Sequence, residues 1–296
     1  MTTEHVFTHT VHPEDDHKKI SQVLALRLGM SRKTLLRLRR SGEVRQNGVL
    51  VYMRETVRAG DQLILVLREE REQSLLPQSM PLDIAYEDEH LVVVNKPAFM
   101  VVHPTKGYLD GTLANALLAY YQGRGQEFII RPVHRLDRDT SGLLLIAKNP
   151  HVQARLTEQH HTGEWQKSYL AVVSGVLPEA KGRISAPIKR VGNGSRARVI
   201  SPLGQDALTL WERLSVGTDT TLVKATLVTG RTHQIRVHFA HLGHPLVGDE
   251  VYGTASPFIA RQALHAAWLS FRHPERGEQI SLFAPPPADF AALLTP

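Results

Sequence analysis

A polar turn that runs directly into an apolar strand constrains this chain more than any other segment. The turn spans residues 134–142 (HRLDRDTSG), and the next five residues, 143–147, are all apolar. A short apolar run of this kind predicts a strand buried on both faces. A carboxylate at the end of such a strand lies at the rim of a rigid sheet, where a ligand can reach it. Asp137 is therefore the candidate reacting group, and a turn or helix-capping aspartate is the alternative.

The composition narrows the class of protein. A chain of 296 residues can bury one full core and still form a small second domain. The formal charge of +6 favours a polyanionic partner. The absence of cysteine excludes disulfides, thiolate catalysis and cysteine-ligated zinc. Residues 1–10 are polar without a signal-peptide pattern, and no apolar run approaches a membrane span. We therefore expect a cytoplasmic protein with no membrane contact.

Residues 11–67 predict a compact α/β module. The pattern indicates a helix over 20–28, a second helix from a Ser31 cap to residue 40, a turn at Asn47-Gly48 and a strand over 62–67. The second helix carries a stripe of cations, with a further arginine beside it: Lys33, Arg37 and Arg40 in the stripe, and Arg32 next to it. These four residues are candidate phosphate ligands, and a solvated surface helix is the alternative. The order of elements resembles the RNA-binding domain named after a ribosomal small-subunit protein, here called the S-four-type domain.

The rest of the chain predicts a linker and a larger α+β domain. Residues 68–80 are polar and without periodicity, which is typical of a linker. Over 81–293, strands at 91–94, 165–173 and 221–228 mix with a helix at 112–121. Since strands and helices do not alternate regularly, α+β is favoured over a doubly wound sheet.

Three further motifs accompany the Asp137 turn. Asn95-Lys96-Pro97 follows a buried strand, and residues 167–171 (KSYLA) place Lys167 and Tyr169 on one face of a strand. Residues 229–236 (TGRTHQIR) form a turn that opens a helix, which Thr232 can cap. In this order the four motifs resemble those of the RluA-type pseudouridine synthases, in particular the RluC/RluD-like members, over about residues 82–290. Those members carry an N-terminal S-four-type domain as well.

The resemblance implies a fold and a reaction. It implies a catalytic domain built on a central mixed, largely antiparallel sheet, beside the small RNA-binding domain. Such enzymes detach uracil from its ribose in structured RNA, rotate it and rejoin it through carbon, with no cofactor and no metal. Large-subunit ribosomal RNA is the favoured substrate and transfer RNA the alternative. We expect a monomer.

The resemblance also implies roles for individual side chains. Asp137 matches the catalytic carboxylate, which can add to the anomeric carbon or assist departure of the base. Arg236 matches the arginine that pairs with this aspartate, and the alternative is an exposed helix arginine. Tyr169 matches the tyrosine that stacks on the target base, and the alternative is a core tyrosine.

A second group of residues would bind RNA. A uridine in folded RNA must leave its stack before it can react, which costs a few kcal/mol. Arg135 matches the arginine that fills the vacated space, and a phosphate contact is the alternative. Four more residues are expected to line the pocket or hold phosphates: Lys96, Arg231, His233 and Gln234.

Rival functions find less support. The histidines at 233, 238, 241 and 244 lack the spacing and glutamate of a zinc helix. A glycosidase would need a second carboxylate opposite Asp137, and Asp139 is too near in sequence. The remaining alternative is an RNA-binding or ribosome-assembly protein that has lost catalysis on the same fold. Because Asp137, Tyr169 and Arg236 are all present, catalysis is favoured.

Overall fold

The computed structural model describes residues 2–70, 75–105, 107–126, 129–192, 195 and 197–294. Four strands and two helices make up the N-terminal unit, together with a 3-10 turn at Pro13–Asp15. They are β1 Thr2–Thr10, α1 Ile20–Arg27, α2 Arg32–Ser41, β2 Glu43–Gln46, β3 Val49–Leu50 and β4 Gln62–Glu70. The sheet order is β1-β4-β2-β3, and its inner face packs on the two helices through residues such as Leu24, Leu38 and Leu65.

Local sequence accounts for most of this unit. Ser31 caps α2, since its Oγ accepts a hydrogen bond from the backbone N–H of Thr34 at 3.1 Å. Asn47 and Gly48 have φ of 51° and 84°, the left-handed pair that a type I′ hairpin requires. The predicted helices, hairpin and last strand of the N-terminal module are therefore all present.

One strand of the N-terminal unit falls outside the predicted range of 11–67. β1 pairs antiparallel with β4 along its whole length, from Thr2 opposite Glu70 to Thr10 opposite Gln62. This segment alternates polar threonine and histidine with few apolar residues, so it lacks the hydrophobic period of a half-buried strand. Its β-branched threonines and Val6 were the signal that could have indicated it. The unit thus begins at residue 2, and β4 extends to residue 70 into the predicted linker.

The larger unit is built on one mixed sheet of ten strands. Its strands are β5 Ile84–Glu87, β6 Leu91–Lys96, β7 Arg131–Pro132, β8 Ser141–Ala147, β9 Gln166–Ser174, β10 Lys181–Ser185, β13 Leu208–Val216, β14 Thr220–Leu227, β15 Leu264–Arg272 and β16 Gln279–Phe283. The main order is β10-β13-β14-β9-β15-β8-β6-β5, with β16 added to β15 and β7 to β8. Only the β8–β15 pair is parallel among these described strands. The predicted α+β class and largely antiparallel sheet are confirmed.

Helices cover both faces of this sheet. They are α3 Leu113–Gln122, α4 Pro150–Thr162, α5 Gln234–His241 and α6 Ala288–Ala291, and a 3-10 turn follows at Ala292–Leu294. A separate hairpin joins β11 Ile188–Arg190 to β12 Arg198–Ile200. Along β6, Val92 and Val94 pack on the side of α3, while Leu91 and Val93 pack on the side of α4. Burial on both faces explains why β6 and β8 are continuous apolar runs.

The two units touch each other. The ring of Phe7 on β1 packs edge-on against the ring of His151 in α4, with 5.4 Å between centroids. α2 also lies against α4. None of the helices in the described ranges is both long and apolar enough to cross a membrane.

Gly142, at the start of β8, lets three strands meet beside the Asp137 turn. It pairs with Lys96 of β6 on one side and Ala266 of β15 on the other. Its φ is +112°, and an added Cβ would collide with the backbone carbonyl of Ala266. A side chain here is excluded both by backbone conformation and by space.

We predict that Gly142→Ala lowers the free energy of unfolding by more than Gly163→Ala does. Gly163 also has a positive φ (+78°), but apart from its neighbours in the chain no described atom lies within 4 Å of its added Cβ. The control should lose about 1–2 kcal/mol from backbone strain alone, and the collision adds to this at Gly142. Urea denaturation measures both values. Equal losses in the two variants would contradict the close approach of β8 and β15.

Candidate active site

Asp137 lies in the turn that precedes β8 and lines a cleft of about 760 Å³. The turn is closed by a hydrogen bond from the backbone N–H of Thr140 to the carbonyl of Asp137, at 3.1 Å. The side chain of Asp137 is 27% exposed, so solvent and a ligand can reach its carboxylate. Asp139 instead pairs with Arg138, with 2.6 Å between Oδ1 and Nε. The two carboxylates of the turn therefore have separate partners.

Arg236 joins Asp137 to a second, fully buried carboxylate. Its Nη1 lies 3.3 Å from Oδ2 of Asp137, while its Nε and Nη2 donate to Asp249 at 2.6 and 2.8 Å. Burial is the largest single effect and opposes the charge of Arg236, but the hydrogen bonds and charges of Asp249 and Asp137 together outweigh it and raise the pKa of the guanidinium. Arg236 is thus a buried cation aimed at Asp137, and it is not the exposed helix arginine of the alternative interpretation.

Asp249 was missed as a site residue. It follows Gly248 in a mostly apolar stretch, PLVGDEVY. An acidic residue in such a stretch is buried at high cost unless a cation pairs with it, which is the signal that could have identified it.

His233 and Tyr252 form the wall beside this ion pair. Nε2 of His233 lies 3.8 Å from Oδ2 of Asp137, and its Nδ1 is hydrogen-bonded to the hydroxyl of Tyr252 at 2.8 Å. Burial lowers the pKa of His233, an effect that the charge of Asp137 opposes. His233, with φ of 58°, is the N-cap residue of α5, so the predicted Thr232 cap is wrong. Tyr252 was not predicted.

Lys96 does not face the cleft. Its side chain is buried, and its ammonium donates to the carbonyls of Pro97, Met100 and Arg138 at 2.7, 2.9 and 3.0 Å. Burial lowers the pKa of Lys96 to about 7. The RNA contact expected of Lys96 is therefore wrong, because all three donors already have partners inside the protein. Lys96 supports the Asp137 turn from below.

Gln234 is likewise committed to the protein. Its Nε2 donates to the carbonyl of Leu208 and to the hydroxyl of Thr209, both at 3.0 Å. Its Oε1 accepts from the hydroxyl of Thr229 and the backbone N–H of Arg231, both at 2.9 Å. Gln234 lines the cleft, as expected, but its amide is fully bonded within the protein, so it holds the 229–233 turn in shape and has no group left for a phosphate.

Tyr169 and the two predicted arginines do line the cleft. Tyr169 is buried, 4% exposed, and burial and the charge of Asp137 both raise the pKa of its hydroxyl. Arg135 is exposed at the entrance. Arg231 is half-buried, and its Nε donates to the carbonyl of Asp206 at 3.0 Å. Arg135 and Arg231 also line an adjoining 410 Å³ pocket with cations of the β11–β12 hairpin.

The cations of α2 lie outside the cleft. Arg32 and Arg40 are exposed, whereas Arg37 is half-buried. Burial is the main reason that the pKa of Arg131 falls to about 9, and the charge of nearby Arg37 adds to the decrease. Arg37 therefore faces the larger unit, against the expectation of an outward stripe. The side chain of Lys33 lies outside the described residues.

The histidines of α5 and its flank act separately. His238 is buried and bonded to Thr209 and to the carbonyl of Ala186, and His244 is bonded to the carbonyl of Ser174. In the described ranges no three histidine or acidic side chains gather in a way that could hold a metal ion.

Residues 90–241 match the family described as RNA pseudouridylate synthase. A Bacillus subtilis protein named "Uncharacterized RNA pseudouridine synthase YjbO" is 39% identical over 90% of this chain and 95% of its own. A Xylella fastidiosa protein named "Ribosomal large subunit pseudouridine synthase D" is 40% identical over 89% of this chain and 84% of its own.

The fold is also similar to that of a solved RNA pseudouridylate synthase domain. The solved structure titled "Human RNA Pseudouridylate Synthase Domain Containing 1" superposes with a TM-score of 0.58 and is 30% identical. The alignment covers 72% of this chain and 87% of the human chain. By sequence and by fold, this chain belongs to the RluA-type family of RNA pseudouridine synthases and is an enzyme of that isomerase class.

Proposed function

We propose that this enzyme converts uridine to pseudouridine in large-subunit ribosomal RNA, with Asp137 as the catalytic carboxylate. The observation that carries the proposal is the reachable Asp137 carboxylate, held 3.3 Å from the buried Arg236 guanidinium at the cleft. The ribosomal substrate is supported by relatives named as large-subunit enzymes, such as those of Xylella fastidiosa and Haemophilus ducreyi. Transfer RNA is the competing substrate.

The reaction breaks one bond to the ribose and forms another. The bond from C1′ to N1 of uracil breaks, and a bond from C1′ to C5 forms. The proton on C5 leaves to solvent, and N1 gains a proton. An ionised Asp137 can stabilise the electron-poor C1′ either by adding to it or through its charge. Arg236 holds the carboxylate in place through the 3.3 Å contact between its Nη1 and Oδ2 of Asp137.

Two further side chains complete the proposed site. A flipped uridine would enter the cleft with its base near Tyr169, whose buried ring offers a stacking surface. Arg135, exposed at the entrance, would occupy the gap that the base leaves in the RNA. Its planar guanidinium can stack on bases as well as contact phosphate.

We predict that Asp137→Asn abolishes tritium release from RNA labelled at C5 of uridine, while RNA binding and folding remain. Asp139→Asn is the matched control, since Asp139 lies in the same turn but pairs with Arg138. Unmodified ribosomal and transfer RNA serve as the two substrates. Release by Asp137→Asn at the wild-type rate would refute its role. Tight binding without release by the wild-type enzyme would favour a non-catalytic RNA-binding or assembly protein.

We predict that Asp249→Asn slows the single-turnover rate at saturating RNA by about tenfold or more, because Arg236 loses the partner that aims it at Asp137. Asp15→Asn is the matched control. Asp15 is another fully buried carboxylate, and its Oδ2 lies 2.6 Å from Nε of Arg27 in the N-terminal unit. The control should stay within about twofold of wild type. Equal rates in the two variants would remove Asp249 from the site.

We predict that replacing Arg32 and Arg40 by glutamine weakens RNA binding and flattens its salt dependence. Each lost phosphate contact should reduce the slope of log K against log salt by about 0.7–0.9. Both side chains are exposed on α2 and can meet RNA beside the cleft. Filter binding over a range of salt concentrations gives the slope. A slope equal to that of the wild-type protein would exclude α2 from the interface.

A further inference from the structure

A buried lysine that lines the cleft has no part in the chemistry described above. Lys167 lies on β9, two residues before Tyr169 and on the same side of the sheet, and it lines the cleft. It is only 6% exposed. Among the described residues, no carboxylate lies within 4.0 Å of its ammonium, and no oxygen or nitrogen atom accepts a hydrogen bond from it.

A comparison with Lys96 shows that a buried ammonium without a hydrogen-bond acceptor is unusual in this protein. Lys96 is equally enclosed, but three carbonyl oxygens accept its protons. The ammonium of Lys167 has instead the ring of Trp165, 5.0 Å away. Burial with no compensating anion lowers the pKa of Lys167 to about 8. A buried ammonium without a counter-charge is costly, so one that lines a cleft is a candidate site for an anion.

The surroundings leave room for such an anion. Gly230 faces Lys167, and a Cβ there would lie 3.9 Å from Nζ of Lys167 and 3.1 Å from Nε2 of His160. His160 lines the same part of the cleft. Asp137 is the one acidic side chain among the described residues that line the cleft. The missing side chain at Gly230 thus keeps the approach to the ammonium open.

We infer that Lys167 is a further substrate-binding residue, which holds a backbone phosphate of the RNA next to the flipped uridine. The inference rests on the proposed function and extends it. Two residues along a strand span about 7 Å, so Lys167 lies about one nucleotide from Tyr169 and the reacting ribose. Phosphates are the anions that RNA brings to this distance. An ammonium acts on them as a compact point charge.

The test uses binding, so that it does not depend on turnover. Lys167→Met is made in the Asp137→Asn protein, and affinity for unmodified large-subunit ribosomal RNA is measured over a range of salt concentrations. We expect the dissociation constant to rise roughly tenfold and the log–log salt slope to fall by about 0.7, the value for one single-strand phosphate. The single-turnover rate of Lys167→Met at saturating RNA is also measured in the Asp137-containing enzyme, to separate a contact with the RNA backbone from one with the reacting base.

Lys224→Met is the matched control. Lys224 also lies over a tryptophan ring, 4.8 Å from that of Trp268, but on the opposite face of the sheet from Lys167. It should leave affinity and slope unchanged. Thermal unfolding of Lys167→Met is compared with that of the wild-type protein. The variant should be at least as stable, because the substitution removes a buried, uncompensated charge.

Three outcomes would overturn the inference. An unchanged salt slope in folded Lys167→Met would exclude a phosphate contact. A slower rate with an unchanged slope would place Lys167 at the uracil base instead. A loss of stability with unchanged binding would make Lys167 a structural residue. The proposed reaction can fail independently of this inference. If Lys167→Met reduces the salt slope of RNA binding but the wild-type protein releases no tritium, the phosphate site is supported and the proposed reaction is refuted.

Discussion

The site depends on one buried guanidinium shared between two carboxylates. Arg236 is held from behind by both oxygens of Asp249, so its remaining Nη1 points to Asp137. A cation with only the exposed partner would be free to move towards solvent, and side-chain entropy would favour that motion. The buried pair removes this freedom. The position of Asp137, the proposed reacting group, therefore depends on Asp249, a buried residue that does not line the cleft.

The neighbouring strands hold the turn from the other side. Gly142 brings β8 against Ala266 of β15, and Lys96 at the end of β6 donates to the carbonyl of Arg138 within the turn. These contacts tie the turn to two strands on either side of β8. The two buried lysines differ in their partners. The ammonium of Lys96 donates to three backbone carbonyls and supports the turn. The ammonium of Lys167 has no hydrogen-bond acceptor among the described residues, and we propose that an RNA phosphate supplies it.

Local pattern predicted the elements better than it predicted the contacts. The apolar run of β8, the Ser31 cap and the Asn47-Gly48 turn were predictable because short-range chemistry determines them. β1 lacked hydrophobic alternation and was missed. Lys96 and Gln234 were assigned to RNA because polar residues in motifs suggest ligands, yet both satisfy backbone groups that only the folded chain brings together. Asp249 was missed for the same reason, since its partner lies 13 residues away in sequence.

The most direct test is a crystal structure of the enzyme with ribosomal RNA that carries 5-fluorouridine at the modified position. Fluorine replaces the proton that must leave C5, so the reacting nucleotide should remain in the cleft. We expect C1′ of its ribose to lie against the Asp137 carboxylate, with Arg135 in the gap left in the RNA. A nucleotide bound outside the cleft, or with its ribose out of contact with Asp137, would contradict it.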